Sequence, residues 1–150
     1  MQPLSKEFFE AEALKKIIEG DIFTHKNPVI TIKTKGRPYG KLSQHVVKLG
    51  VNLPDLALGT AEFVDPYIFV ALWDDESTYS PEHLYHCCES IMRAASVNHL
   101  ERFAMPLLGG KEGFRLRGVV EKALFDMGDV LNNMGFEIPE YVYVTKGSPG

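Results

Sequence analysis

The sequence predicts a single α/β domain with a mixed sheet and helices on both of its faces. Three observations carry that expectation. Apolar, β-branched strand runs alternate with helix-period stretches along the whole chain. Two predicted strands, residues 29–34 and 102–106, lead through glycine-containing loops into helices, so that the two loops form one cleft if both strands point the same way. The 150 residues make one domain, large enough to bury roughly 70% of the surface exposed by the unfolded chain.

Ser5 ahead of Lys-Glu-Phe-Phe-Glu-Ala-Glu-Ala reads as an N-cap with acidic residues in the first turn. The end of that helix is open from periodicity. Propensity carries it through Ile18, while Lys15-Lys16-Ile17-Ile18-Glu19 before Gly20-Asp21 reads equally as a short strand. Val-Ile-Thr-Ile-Lys-Thr, residues 29–34, is a strand bounded by Asn27-Pro28 and Gly36. Beyond Gly36-Arg-Pro-Tyr-Gly40, Leu42, Val46, Val47 and Leu49 recur at helical spacing up to a stop at Gly50. Residues 56–64 and 67–73 are apolar runs around Asp65-Pro66, which predicts a hairpin or sharp bend. Ser80-Pro81 opens a helix with Leu84, Cys87, Cys88, Ile91, Met92 and Ala95 as its buried stripe. The 102–106 strand follows. Leu116, Val119, Val120, Ala123, Leu124, Met127, Val130 and Leu131 then give a long amphipathic helix ending near Gly135. Tyr141-Val-Tyr-Val-Thr145 is the last strand, and residues 146–150 form a polar tail expected to fray.

Composition narrows the function classes. A net charge of −4 and a pI near 5.7 argue against a chain built to coat nucleic acid, so direct nucleic-acid binding is not expected. Adjacent Cys87 and Cys88 are poorly placed to bond with each other and read as small buried thiols of a reducing compartment. No basic leader with an apolar run opens the chain, and no stretch approaches about 18 consecutive apolar residues, so no membrane association and a cytoplasmic location are expected. His83 and His86 share a helix face without a further ligand converging on them, and His25, His45 and His99 are scattered. Neither a metal nor a cofactor is expected.

The most informative segment runs from Phe103 to Phe114, Phe-Ala-Met-Pro-Leu-Leu-Gly-Gly-Lys-Glu-Gly-Phe. An apolar strand enters a loop in which Gly109, Gly110 and Gly113 let a ligand approach backbone N–H groups, and the helix beyond would turn its positive end toward the same spot. That is an anion-binding arrangement, although such a loop also serves as a plain tight connection.

This loop after Met105-Pro106, with Gly20-Asp21-Ile22-Phe23, the strand and Gly-containing turn up to Gly40, and Tyr-Ile-Phe-Val-Ala-Leu-Trp, resembles the macro domain family. The likeness runs from about Lys15 to Thr145 and is nearest the terminal ADP-ribose protein glycohydrolase group. It implies a three-layer α/β/α fold that binds ADP-ribose, or an ADP-ribosylated substrate, on a mixed central sheet. By position it implies that Asp21 reads the adenine amino group beside the Ile22 N–H, that Gly36 and Gly40 belong to the first phosphate loop, and that Leu108, Gly109, Gly110, Lys111 and Gly113 hold the diphosphate. Tyr39 or Phe114 would cover a ribose or the base, or else pack into the core. Asp21 reads equally as the cap of a Gly-Asp turn. Lys33, Lys35 and Arg37 in the first loop add charge to its backbone donors, or form a solvated cluster.

In that glycohydrolase group a lysine near the end of the Tyr-Ile-Phe-Val-type strand is the nucleophile, assisted by an acid in the glycine loop. Here Glu112 stands at the loop acid's position, while the lysine's position falls near Asp74, which supplies no amine. Three functions follow. The first is a binder of ADP-ribose or a related nucleotide. The second is a hydrolase removing ADP-ribose from protein, nucleic acid or a small ester, with Glu112 as general base and Lys111 the nearest amine. The third is a macro-like scaffold with a degenerate cleft that binds protein partners.

Overall fold

The computed structural model describes residues 4–76, 80–108 and 115–146. Among these the elements run α1 (Lys6–Lys15), β1 (Ile17–Glu19), β2 (Val29–Lys33), β3 (Arg37–Pro38), α2 (Lys41–Lys48), β4 (Ala61–Val64), β5 (Tyr67–Trp73), α3 (Pro81–Val97), β6 (Arg102–Met105), α4 (Arg117–Asn133) and β7 (Glu140–Thr145). Ser5 caps α1 by accepting from the Phe8 N–H, and Ser80 caps α3 by accepting from the His83 N–H.

Hydrogen bonding orders the strands as β1-β7-β6 and β3-β2-β5-β4. A parallel bridge between Pro28 and Ala104 lays β6 against the start of β2, where the Ala104 N–H donates to the Asn27 carbonyl at 3.3 Å and the Asn27 side-chain amide donates to the Arg102 carbonyl at 2.8 Å. Strands β1, β7, β6, β2 and β5 are therefore parallel, with β4 antiparallel on β5. Farther along β2 its free edge is taken by the antiparallel β3. The layer thus splits between the carboxyl ends of β6 and β2, the place where an open α/β sheet leaves room for a ligand.

Alternation along the strands fills both faces. Ile68, Val70, Leu72, Phe103, Met105 and Tyr143 join the buried stripes of α3 and α4 in one core with Ala13 of α1. Ile30, Ile32 and Phe69 face the other way, against Val46 of α2 and the half-buried Leu53 and Leu56. This is the three-layer α/β/α architecture expected from the sequence. Gly118 permits the approach of α1 to α4, since a Cβ there would stand 2.9 Å from Glu10 Cγ. Among the described residues no helix is long and apolar enough to cross a membrane.

The hairpin expected around Asp65-Pro66 is formed by β4 and β5, and the structure adds detail to the reading of several segments. The run 56–64 is strand only from Ala61; the Gly59 N–H donates to the Ala71 carbonyl and Thr60 closes a turn onto Ala57. Val130 falls outside the buried stripe of α4 and is 50% exposed. Of the tail, Lys146 is described and residues 147–150 lie outside the described residues. The stripe of α3 is buried as read, and both cysteines are free thiols; burial pushes Cys87 up to about 12 and raises Cys88 as well, so both stay protonated at neutral pH.

One buried acid has no counterpart in the sequence reading. Glu121 of α4 faces the sheet and is nearly inaccessible. It accepts from the Tyr143 hydroxyl at 2.7 Å, from the Tyr141 hydroxyl at 2.8 Å and from the Lys16 ammonium. Lys16 also donates to the Tyr141 hydroxyl at 3.2 Å and lies over that ring, 4.5 Å from its centroid. Burial first, and then the Glu121 carboxylate, push both phenols far above their ordinary range.

Candidate functional site

A cleft of about 1120 Å³ opens at the carboxyl ends of the parallel strands. Its walls come from Gly20–Phe23 after β1, the first two turns of α2, Leu72 and Trp73 at the end of β5, residues 106–108 after β6, Val144 and Thr145 at the end of β7, and Lys146 just beyond it.

At one end, Asp21 caps the 3₁₀ turn Ile22–Thr24, its Oδ1 accepting from the Phe23 N–H at 3.0 Å. The carboxylate is exposed, and its second oxygen meets no donor among the described residues. One oxygen thus serves the turn, as the capping reading expects, and the residue lines the cleft. Ile22 anchors the turn in a small core with Ala104 and Val144, and its N–H, first in the turn, has no partner within it. The Phe23 ring lies 4.5 Å from the His45 ring and 6.5 Å from Tyr67.

The other wall is the start of α2. Its N-cap is Gly40, at φ +89° and ψ 173°, a conformation glycine adopts without a Cβ penalty, and no side chain caps the helix there. Buried Ser43 turns backward instead: its Oγ accepts from the Tyr39 N–H at 2.6 Å and donates to the Gly40 carbonyl at 3.3 Å. No side chain among the described residues takes the N–H groups of the first turn, which have the positive end of the helix dipole behind them and Lys41 beside them. Among the described residues, Lys41, Lys48 and Lys146 line the cleft against one carboxylate, Asp21. On an acidic protein, the cleft is a cationic depression.

No family model matches the sequence, and none of the curated proteins matches it. Among solved structures, the macrodomain of Thermus aquaticus DarG matches with a TM-score of 0.58 and 12% sequence identity, over 88% of this chain and 97% of that one. The chain has the macrodomain fold.

On this macrodomain frame the expected site residues separate. Asp21, Ile22, Tyr39, Gly40 and Leu108 all line the cleft. Tyr39 is half exposed, its ring 5.3 Å from that of Trp73. Gly36 is not in the lining: at φ +66° its α-carbon presses on the chain at Leu53, whose carbonyl would be 2.9 Å from an added Cβ. Gly109, Gly110, Lys111, Glu112, Gly113 and Phe114 lie outside the described residues.

The basic cluster of the first loop stands apart from the cleft, nearer to the second of its two readings. Lys33 and Arg37 are tied to Asp75 at 3.3 and 3.0 Å, which joins the carboxyl ends of β2 and β5. The Arg37 hydrogen bond, then that from Lys33, holds the Asp75 carboxyl below its ordinary range. Neither cation lines the cleft, nor does Lys35. Asp74 Oδ1 accepts from the Glu76 N–H at 2.9 Å.

A bulge shifts the β2–β5 register so that Ile32 pairs with Ala71 and Lys33 with Trp73, leaving Leu72 without a partner on β2. His83 supplies what the ladder omits, donating from Nε2 to the Leu72 carbonyl at 2.7 Å. His83 is thus a structural donor and His86 pairs with Glu89 at 3.0 Å; no group of three metal-ligating side chains converges among the described residues.

The sequence reading passed over Lys41, Lys48 and Lys146. The signal for the first two was available, since a spacing of seven on a helix places residues on one face.

Proposed function

We propose that this protein binds ADP-ribose or a closely related nucleotide diphosphate in the cleft at the carboxyl ends of its sheet. The observation that carries the reading is the meeting, in one cavity, of an uncapped helix N-terminus flanked by Lys41 with an open carboxylate at Asp21. The first suits a diphosphate, because backbone N–H groups and the helix dipole offer fixed donors that need no reorganisation. The second suits an exocyclic amine, because a carboxylate only accepts. Phe23 and His45 offer ring faces, inclined at 45° to each other, against which the base can pack, and Tyr39 with Trp73 offers such faces to the distal sugar. On this reading Gly109, Gly110, Lys111 and Gly113 supply a second set of phosphate donors, and the volume of the cleft is ample for the whole ligand.

Calorimetric titration tests this. Micromolar binding of ADP-ribose, with AMP and ribose 5-phosphate each weaker by roughly tenfold or more, is the expected result, since each fragment occupies only one end of the cleft. No binding of ADP-ribose at millimolar concentration overturns the reading.

A further inference from the structure

We infer that the nucleoside end of the cleft contains a second anion position, formed by Lys48 and Lys146, that takes a phosphomonoester on the nucleoside ribose. The inference rests on the nucleotide reading above and extends it to the class of ligand preferred.

The positive end of α2 and Lys41 provide for one anion. Lys48 stands seven residues farther along the helix, about 10 Å down its axis, at the end whose dipole offers an anion nothing. A diphosphate seated at the first turn leaves this lysine without a counter-charge. Lys146 approaches the same end from another element. It follows Thr145, whose carbonyl accepts from the Gly20 N–H at 2.8 Å, so it borders the loop that carries Asp21. The Phe23–His45 pair belongs to the same lining, with His45 one turn before Lys48 on α2.

Lys48 and Lys146 make no ion pair among the described residues and both line the cleft, as does Lys41; Lys26, Lys35, Arg93 and Arg102, which also stand outside the ion pairs, do not line it. The one carboxylate among the described lining residues, Asp21, already serves the Phe23 N–H. Two ammonium groups in the lining that holds the Phe23–His45 pair suit a further phosphate attached to the nucleoside.

The test is calorimetry of the full chain with ADP-ribose and with its 2′-phosphate and 3′-phosphate derivatives. At least one phosphorylated form is expected to bind roughly tenfold more tightly than ADP-ribose, an advantage that shrinks as salt is added. In the Lys48→Ala/Lys146→Ala variant the ratio of the two affinities is expected to fall toward one. If ADP-ribose binds and neither phosphorylated form binds more tightly, the second anion position is overturned while the nucleotide reading stands. If the preference survives the double substitution, the assignment to these lysines is overturned. If none of the three ligands binds, the nucleotide reading fails and takes the inference with it.

Discussion

Replacing Glu121 by alanine is expected to lower stability by about 3 kcal/mol, the lower part of the range for breaking a buried ion pair, because Lys16 is one-third exposed and regains water. Most of the loss comes from what stays behind. Tyr143 is 2% exposed and has its hydroxyl on Glu121 Oε2, so the alanine variant strands a buried donor and opens a cavity between α4 and the sheet. Glu121→Gln retains one acceptor oxygen and should lose about half as much, near 1.5 kcal/mol. Replacing the whole polar set at once, with Glu121→Leu, Lys16→Met, Tyr141→Phe and Tyr143→Phe, should recover most of the loss, because no unpaired group remains. Urea denaturation checks this through the midpoint at constant slope. A Glu121→Ala loss below about 1 kcal/mol would mean that the network contributes little beyond its packing.

Asp21→Asn is expected to change which base the cleft accepts while leaving the fold in place. Asparagine can still cap the turn through its carbonyl oxygen, but the group then facing the cleft is an amide N–H₂. Opposite the amino group of adenine this sets donor against donor. The lost hydrogen bond to a charged acceptor corresponds to about 1.5–3 kcal/mol, or roughly 10- to 100-fold in affinity. The hypoxanthine analogue carries a carbonyl there and should bind the variant better than ADP-ribose does. Paired titrations of wild type and variant with both ligands measure the switch. Equal ADP-ribose affinity in the two proteins would remove Asp21 from base recognition.

Much of the fold was legible because its elements are long enough to show a period. The stripe from Leu84 to Ala95 on α3 and the β-branched run of β2 needed no partner to be read. Strand β1 was not, since three residues carry no period; its parallel pairing of Ile17 with Tyr143, more than a hundred residues away, makes it a strand. The same distance in sequence hid the buried role of Glu121, whose partners lie on β7 and at Lys16. It also hid the engagement of Lys33 and Arg37 by Asp75, which only the adjacency of β2 and β5 brings about. The cleft was legible as a condition on strand direction, and the parallel course of β2 and β6 meets it. Its polarity was legible only in part: the spacing of Lys41 and Lys48 puts them on one face of α2, whereas Lys146 joins them only through the fold, from the end of β7.

The placement of the ligand is tested most directly by an amide-resolved NMR titration of isotope-labelled protein with ADP-ribose. The largest shifts are expected at Ile22 and Phe23, at Lys41 and Leu42 in the first turn of α2, and at Leu108, with none at Arg102 or Glu140 at the opposite, amino-terminal edge of the sheet. Shifts centred on that opposite edge, or unchanged amides in the first turn of α2 at saturating ligand, would contradict an anion site at the uncapped helix.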